Sequence, residues 1–131
     1  VNYLSALFGS IAKGRAVAGK SHFLGIQSEE VAELLLEHKN GIVSVALLDY
    51  LRKIPVHQLE IATDKGSLVL DFKNDFLAFE DGKNKKVIYQ GNGDANQMFL
   101  DELKHFFRCL KERKKPMQDL KEAKELLKIL V

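Results

Sequence analysis

Cysteine is nearly absent: Cys109 is the single thiol in 131 residues. That excludes a disulfide framework and a cysteine-based metal cluster. Cys109 falls beside an apolar helical stripe, where a buried, inert thiol is the default. No apolar run reaches membrane-spanning length, and no signal-peptide pattern is present. With disulfides missing, this fits a cytoplasmic protein. A net charge of only +2 is too small to point to nucleic acid. Lys104, Arg108, Lys111, Arg113, Lys114, Lys115, Lys121, Lys124 and Lys128 do crowd the C-terminal third. They alternate with Glu102, Glu112, Glu122 and Glu125 and lack interleaved aromatics, so they read as solvated helix faces.

Catalytic and cofactor patterns are equally sparse. His22, His38, His57 and His105 include no pair at the i, i+4 or short-loop spacing of a metal site. There is no Ser-His-Asp ordering and no prominent carboxylate pair. Gly91-Asn92-Gly93 lacks the third glycine of a dinucleotide-binding turn. One motif does match: Gly14 to Ser21 fits the phosphate-binding pattern G-x-x-x-x-G-K-[ST], and residues 68–71 offer an apolar run ending in Asp71. That pattern works only between a buried strand and a helix whose first amides hold phosphate. Residues 10–13 make a poor strand, and residues 22–26 are rich in β-formers, so a nucleotide hydrolase is only a remote alternative.

What is present is a globular domain. Hydrophobic residues make up 46%, with eight Phe and three Tyr, which excludes disorder. The length suits one domain able to bury roughly two thirds of its unfolded surface. The opening VNYLSALFG reads as the later part of a helix, with Val1, Leu4, Leu7 and Phe8 at helical spacing and Gly9 as its stop. A domain rarely starts inside an uncapped helix, so Val1 is expected to be a cut point in a longer protein.

Residues 15–26 suggest one extended strand interrupted by Gly19 and Gly25. Residues 28–39 are ambiguous. Ser28, Glu29, Glu30 and Asn40-Gly41 suit a capped helix, yet Ala32, Leu34 and Leu36 alternate, and Asn40-Gly41 is a strong hairpin turn. Residues 42–51 are apolar on both faces, predicting a strand covered on both sides. Gln58–Thr63, 67–72, 76–79 and 86–90 follow as short strands separated by turn residues, which forces antiparallel pairing. The period then changes. Asp94 with Gln97 reads as a capping box, followed by Phe99, Leu103, Phe106, Phe107 and Leu110. Pro116 stops that helix, and Asp119 with Glu122 opens a second one along Leu120, Ala123, Leu127 and Leu130. The expected architecture is α+β: an antiparallel-rich or mixed sheet with helices on one face.

The most informative stretch is residues 48–72, LDYLRKIPVHQLEIATDKGSLVLDF. Two alternating strands flank the turn Asp64-Lys65-Gly66, and Asp49, Tyr50, Lys53 and His57 cluster just ahead of them. Tyr50 can pack its ring and offer a hydroxyl to a polyol, or simply pack across strands. Lys53 can meet an anion, or be a loop cation. His57 can be an ordinary residue at a strand start.

The stretch resembles the C-terminal domain of the glucose-fructose oxidoreductase / inositol dehydrogenase (Gfo/Idh/MocA) family. The matching residues are Leu48-Asp49-Tyr50, Lys53, Pro55, His57, Glu60-Ile61, Lys65-Gly66 and Leu70-Asp71-Phe72. Residues 29–35 through Asn40-Gly41 resemble the family's first long hairpin, so strand is chosen there. Gly19-Lys20-Ser21 falls inside an earlier family strand, residues 1–9 resemble the helix after its His, and residues 99–116 and 119–130 resemble its closing helices. Asn2 stands where the family usually has Asp, and His57 where an Arg is common.

The resemblance implies a glyceraldehyde-3-phosphate dehydrogenase-like C-terminal domain spanning residues 1–131. It would bind substrate and oligomerise within an NAD(P)-dependent oxidoreductase acting on a sugar, sugar nucleotide or cyclitol. Tyr50, Lys53 and His57 would be substrate-side groups, with Asn2 and Tyr3 in the pocket wall. The Rossmann half, the catalytic Lys and the family's His would precede Val1, so this chain would bind no cofactor and catalyse no hydride transfer alone. Its partners would be its own Rossmann domain and further copies of itself across the sheet, with no nucleic acid or membrane. The alternative is a free-standing binding or dimerisation module without catalysis.

Overall fold

A computed structural model describes residues 2–116 and 120–130. The elements run α1 (Asn2–Phe8), β1 (Ile11–Gly19), β2 (Val31–His38), β3 (Val43–Asp49), β4 (Gln58–Thr63), β5 (Gly66–Asp71), β6 (Phe76–Glu80), β7 (Lys85–Gln90), α2 (Ala95–Glu112) and α3 (Leu120–Leu130). This is the expected α+β chain, and every strand pairing is antiparallel. The strands divide into two sheets, β1-β2-β3 and β4-β5-β6-β7, rather than forming one. The chain correspondingly forms two compact units, Val1–Lys53 with Lys115–Val131, and Ile54–Lys114.

In the first unit, β2 settles the ambiguity of residues 28–39. Leu34, Leu36 and His38 are buried while Glu33, Leu35 and Glu37 are exposed. That strict alternation is the period of a strand with one covered face. At the Asn40-Gly41 turn the His38 N–H donates to the Ile42 carbonyl at 2.8 Å. Gly41, at φ 87°, takes the left-handed conformation the turn needs. On the opposite face Val45 is 71% exposed, joined by Val43, Leu47 and Leu35. The second cover expected for β3 is not supplied by the described residues. α1 lies toward the covered face, with the Phe8 ring edge-on to His38 at 5.6 Å. α3 packs along β1.

β1 departs from expectation. It begins at Ile11, although residues 10–13 were expected to make a poor strand and the strand to start at 15. It ends at Gly19, where residues 20–29 form a loop instead of continuing the strand to residue 26. Positive φ at His22 (61°) and Gly25 (64°) turns the chain out of the sheet.

The second unit is a four-stranded meander with α2. Gly66, at φ 144°, has its would-be Cβ site 2.2 Å from the Glu80 carbonyl oxygen, so no larger residue fits there. Asp71 is buried at the end of β5 and ties down the next turn. Its carboxylate accepts from Lys73 N–H (3.0 Å), Asn74 N–H (2.9 Å), Asn74 Nδ2 (2.8 Å) and Gln58 Nε2 (2.8 Å). The Asn74 backbone N–H, then Gln58 and the Asn74 side chain, hold the Asp71 carboxyl down to about 2.

Asp94 caps α2, but the predicted reciprocal box does not form. Its carboxylate accepts from Asn96 N–H at 2.9 Å, while the Gln97 side chain donates to Asp101 at 2.8 Å. The i, i+4 carboxylate on the same helix face outcompetes the backbone partner. The helix also stops before Pro116. Arg113 turns left-handed at φ 52°, and the Lys114 N–H closes on the Cys109 carbonyl at 3.0 Å, a Schellman ending. The α2 stripe of Phe99, Leu103, Phe106, Phe107 and Leu110 stays half or more exposed. The second capping box, Asp119 with Glu122, lies outside the described residues.

Candidate functional site

Gly19, Val31 and Asp49 are paired neighbours across the first sheet, so one sheet end gathers the exits of β1 and β3 and the start of β2. Glu30 joins all three. Its N–H donates to the Gly19 carbonyl at 2.9 Å, and its carbonyl accepts from the Tyr50 N–H at 3.0 Å. Tyr50 and Lys53 thus leave the sheet beside the loop of residues 20–29.

Two carboxylates shape this end. Asp49 closes the turn behind Tyr50, accepting from Arg52 N–H at 3.0 Å and Arg52 Nε at 2.7 Å. Burial pushes the Asp49 carboxyl up, but the hydrogen bonds and charge of Arg52 outweigh it and hold it below its ordinary value. The turn leaves Tyr50 71% exposed, with Lys53 also exposed. Glu30 is fully buried. It accepts from Ser21 Oγ, from Ser21 N–H at 2.9 Å and from Leu24 N–H at 2.9 Å. The Ser21 hydroxyl and then the Leu24 amide hold the Glu30 carboxyl below its ordinary value, against the effect of burial. Sequence reasoning weighed Glu30 as a helix-start residue, chose strand for the segment, and in neither reading found this role. The available signal was a carboxylate at the first inward position of an alternating strand.

The same geometry disposes of the phosphate-loop motif. Gly14 to Gly19 lie within β1, and a loop follows rather than a helix. Lys20 Nζ donates to the Gln27 carbonyl and Ser21 is taken up by Glu30. No helix N-terminus is there to cradle phosphate, so the nucleotide-hydrolase alternative is overturned.

The remaining site residues are spread out. Tyr3 lies on α1 with 37% of its surface exposed; the side chain of Asn2 lies outside the described residues. The other end of α1 is fastened to the hairpin end of the first sheet. His38 Nδ1 bonds the Gly9 carbonyl at 2.8 Å, and Asn40 Nδ2 donates to the Phe8 carbonyl at 2.9 Å. The His38 Nε2 meets Ser44 Oγ, so both ring nitrogens are engaged. His57 belongs to the second unit, where its ring stacks on Phe72 at 4.4 Å and its carbonyl accepts from the Phe72 N–H at 2.9 Å. Of the five expected substrate-side residues, Tyr50 and Lys53 therefore share one sheet end within a unit. Among the described residues no group of three His, Cys, Asp or Glu could hold a metal ion, and no described helix is long and apolar enough to cross a membrane.

No protein-family model matches the sequence, and no curated protein matches it. Solved structures do. A UDP-N-acetylglucosamine 3-dehydrogenase from Acidithiobacillus ferrooxidans superposes with a TM-score of 0.72 at 17% identity, covering 90% of this chain and 38% of its own. An oxidoreductase from Agrobacterium radiobacter, in complex with NAD+, L-tartaric acid and magnesium, gives 0.70 at 17%, covering 88% and 38%. An aldose-aldose oxidoreductase from Caulobacter crescentus gives 0.65 at 16%, covering 88% and 37%. The chain thus spans little more than a third of the length of these oxidoreductases, and it has the fold of that portion. These are enzymes of the type the sequence motifs resemble.

Proposed function

We propose that this chain is the substrate-binding and oligomerisation domain of an NAD(P)-dependent oxidoreductase acting on a sugar, sugar nucleotide or cyclitol. The observation that carries this reading is the shared fold along about nine tenths of the chain with part of such enzymes. The UDP-N-acetylglucosamine 3-dehydrogenase and the aldose-aldose oxidoreductase among them favour a sugar-like substrate.

In this reading NAD or NADP binds a Rossmann half outside these residues. NAD or NADP held there would supply hydride acceptance, with a Lys of that half as the base for the substrate hydroxyl. The present chain closes the pocket. The exposed Tyr50 offers a ring face and a hydroxyl to a polyol, and Lys53 offers a cation to an anionic substituent. Tyr3, on α1 of the same unit, is read as a further substrate-side residue. The open face of the first sheet, with Val43, Val45, Leu47 and Leu35, pairs with a second copy, since an apolar sheet face of this kind gains by leaving water.

The test is the natural polypeptide that carries this chain, assayed with NAD and NADP against sugars, sugar nucleotides and cyclitols. Turnover that collapses in Tyr50→Ala and Lys53→Ala is expected. Absence of turnover with every class, together with no NAD(P)H binding by fluorescence, would show a non-catalytic module instead. Sedimentation reporting only monomer up to the solubility limit would refute the pairing.

A further inference from the structure

Residues 20–29 spend a buried charge on holding an exposed loop. A carboxylate removed from water is retained only when its oxygens are satisfied, and the donors hydrogen-bonded to Glu30 all come from this loop: Ser21 and Leu24. Lys20 Nζ adds a brace across the base to the Gln27 carbonyl. His22 is held at φ 61°, a left-handed conformation uncommon for a residue with a Cβ. Yet the tip buries little. Phe23 is 86% exposed, and His22 is exposed beside it. An aromatic ring left in water contributes little to the fold, so fixing its position serves something outside the fold. A wall ordered beforehand loses less entropy when a ligand arrives.

The loop base is also hydrogen-bonded to the candidate site, through the Tyr50 N–H and the Glu30 carbonyl. Two exposed aromatics, Phe23 and Tyr50, therefore leave one sheet end together with the exposed ammonium of Lys53. Arg52 is committed to Asp49 and Lys20 to the loop, whereas Lys53 has no ion pair among the described residues. Ring faces and a cation at one sheet end match a hexose, with its apolar ring face, bearing an anionic substituent.

We propose that residues 20–29 form a specificity wall facing Tyr50 and Lys53, with Phe23 packing on the ring of a hexose that bears a phosphate or diphosphate. Glu30 is the positioning residue of that wall. This rests on the reading of Tyr50 and Lys53 as ligand groups.

The test titrates the natural polypeptide that carries this chain with glucose 1-phosphate, UDP-glucose and glucose, followed by amide NMR. The two phosphorylated probes should saturate with shifts in residues 20–24 and 50–53, and glucose should bind at least about tenfold more weakly. Saturation by UDP-glucose alone would assign the nucleotide-linked form, and saturation by both the phosphorylated hexose itself. Phe23→Ala should weaken binding about tenfold, the scale of one aromatic packing contact. Glu30→Gln, and more mildly Ser21→Ala, should release the Ser21 and Leu24 amides to exchange and weaken binding, with β2 and β3 still protected. In a Phe23→Ala background, Glu30→Gln should add almost nothing, an outcome that a general structural role would not give.

Losses in Tyr50→Ala and Lys53→Ala, with none in Phe23→Ala, overturn the wall and leave the site. No saturable binding of any probe overturns both. A change in sedimentation but not in binding for Phe23→Ala shows that Phe23 serves an interface, and also overturns the proposal.

Discussion

Leu35 and Leu36 are neighbours in β2 that point to opposite faces, and replacing each by Ala measures which face is covered in solution. Leu36 has no exposed surface. Its truncation removes three carbons, at about 0.8 kcal/mol each for transfer, or about 2.4 kcal/mol. The cavity left on the covered face brings the expected loss to about 2–5 kcal/mol. Leu35 is 49% exposed, so its truncation forfeits about half the transfer term, roughly 1 kcal/mol, and leaves no closed cavity. Urea titration followed by circular dichroism reads both, and the Leu36→Ala midpoint should fall by at least about 1 M. Equal losses at low protein concentration would refute the assignment of faces. A Leu35→Ala loss that grows with concentration is the signature expected if the open face pairs with a second copy, because a partner that binds only the folded state adds stability by mass action.

Acidification should unfold the protein, and Asp71 supplies one identifiable part of that response. Its folded pKa lies below the unfolded one, so its contribution is fully present above pH 3.8 and is lost as pH falls toward about 2. Asp71→Asn should flatten the urea midpoint against pH across that window, and an unchanged slope would refute it. Gly66→Ala should cost at least about 2 kcal/mol, because its Cβ would sit 2.2 Å from the Glu80 carbonyl oxygen; hydrogen exchange of β5 and β6 checks this. Asp94→Ala should lower stability by about 0.5–2 kcal/mol through loss of the α2 cap. Gln97→Ala should cost less, since Gln97 serves only an exposed carboxylate; comparable losses would restore the capping box.

The short strands were legible because their turns are local. Gln58–Thr63 was read at its exact bounds, and β5, β6 and β7 to within one residue at either end. β2 was legible only with help. Its Glu-rich, Leu-rich sequence satisfies both periods, and the choice between them depends on which side chains find a covered face. β1 was misread beyond Gly19. Nothing local to residues 20–26 reveals that a carboxylate several residues downstream will take their amides. The same blindness hid Glu30, a residue whose role exists only once β1, its loop and β2 have come together. Tyr50 and Lys53 were found because they sit together in sequence.

Composition, alternation and turn chemistry were enough to establish an α+β chain with antiparallel strands, and motif order was enough to point to an oxidoreductase portion. The first is a local property, set by backbone preference and by the period of apolar residues; the second rests on a resemblance to a known family. Tertiary structure decided the division into two sheets, the covered face of the first sheet, the failure of the phosphate-loop motif and the fastening of residues 20–29 by Glu30. Each depends on which groups meet across the fold, and a buried carboxylate takes whichever donors the packed chain brings to it.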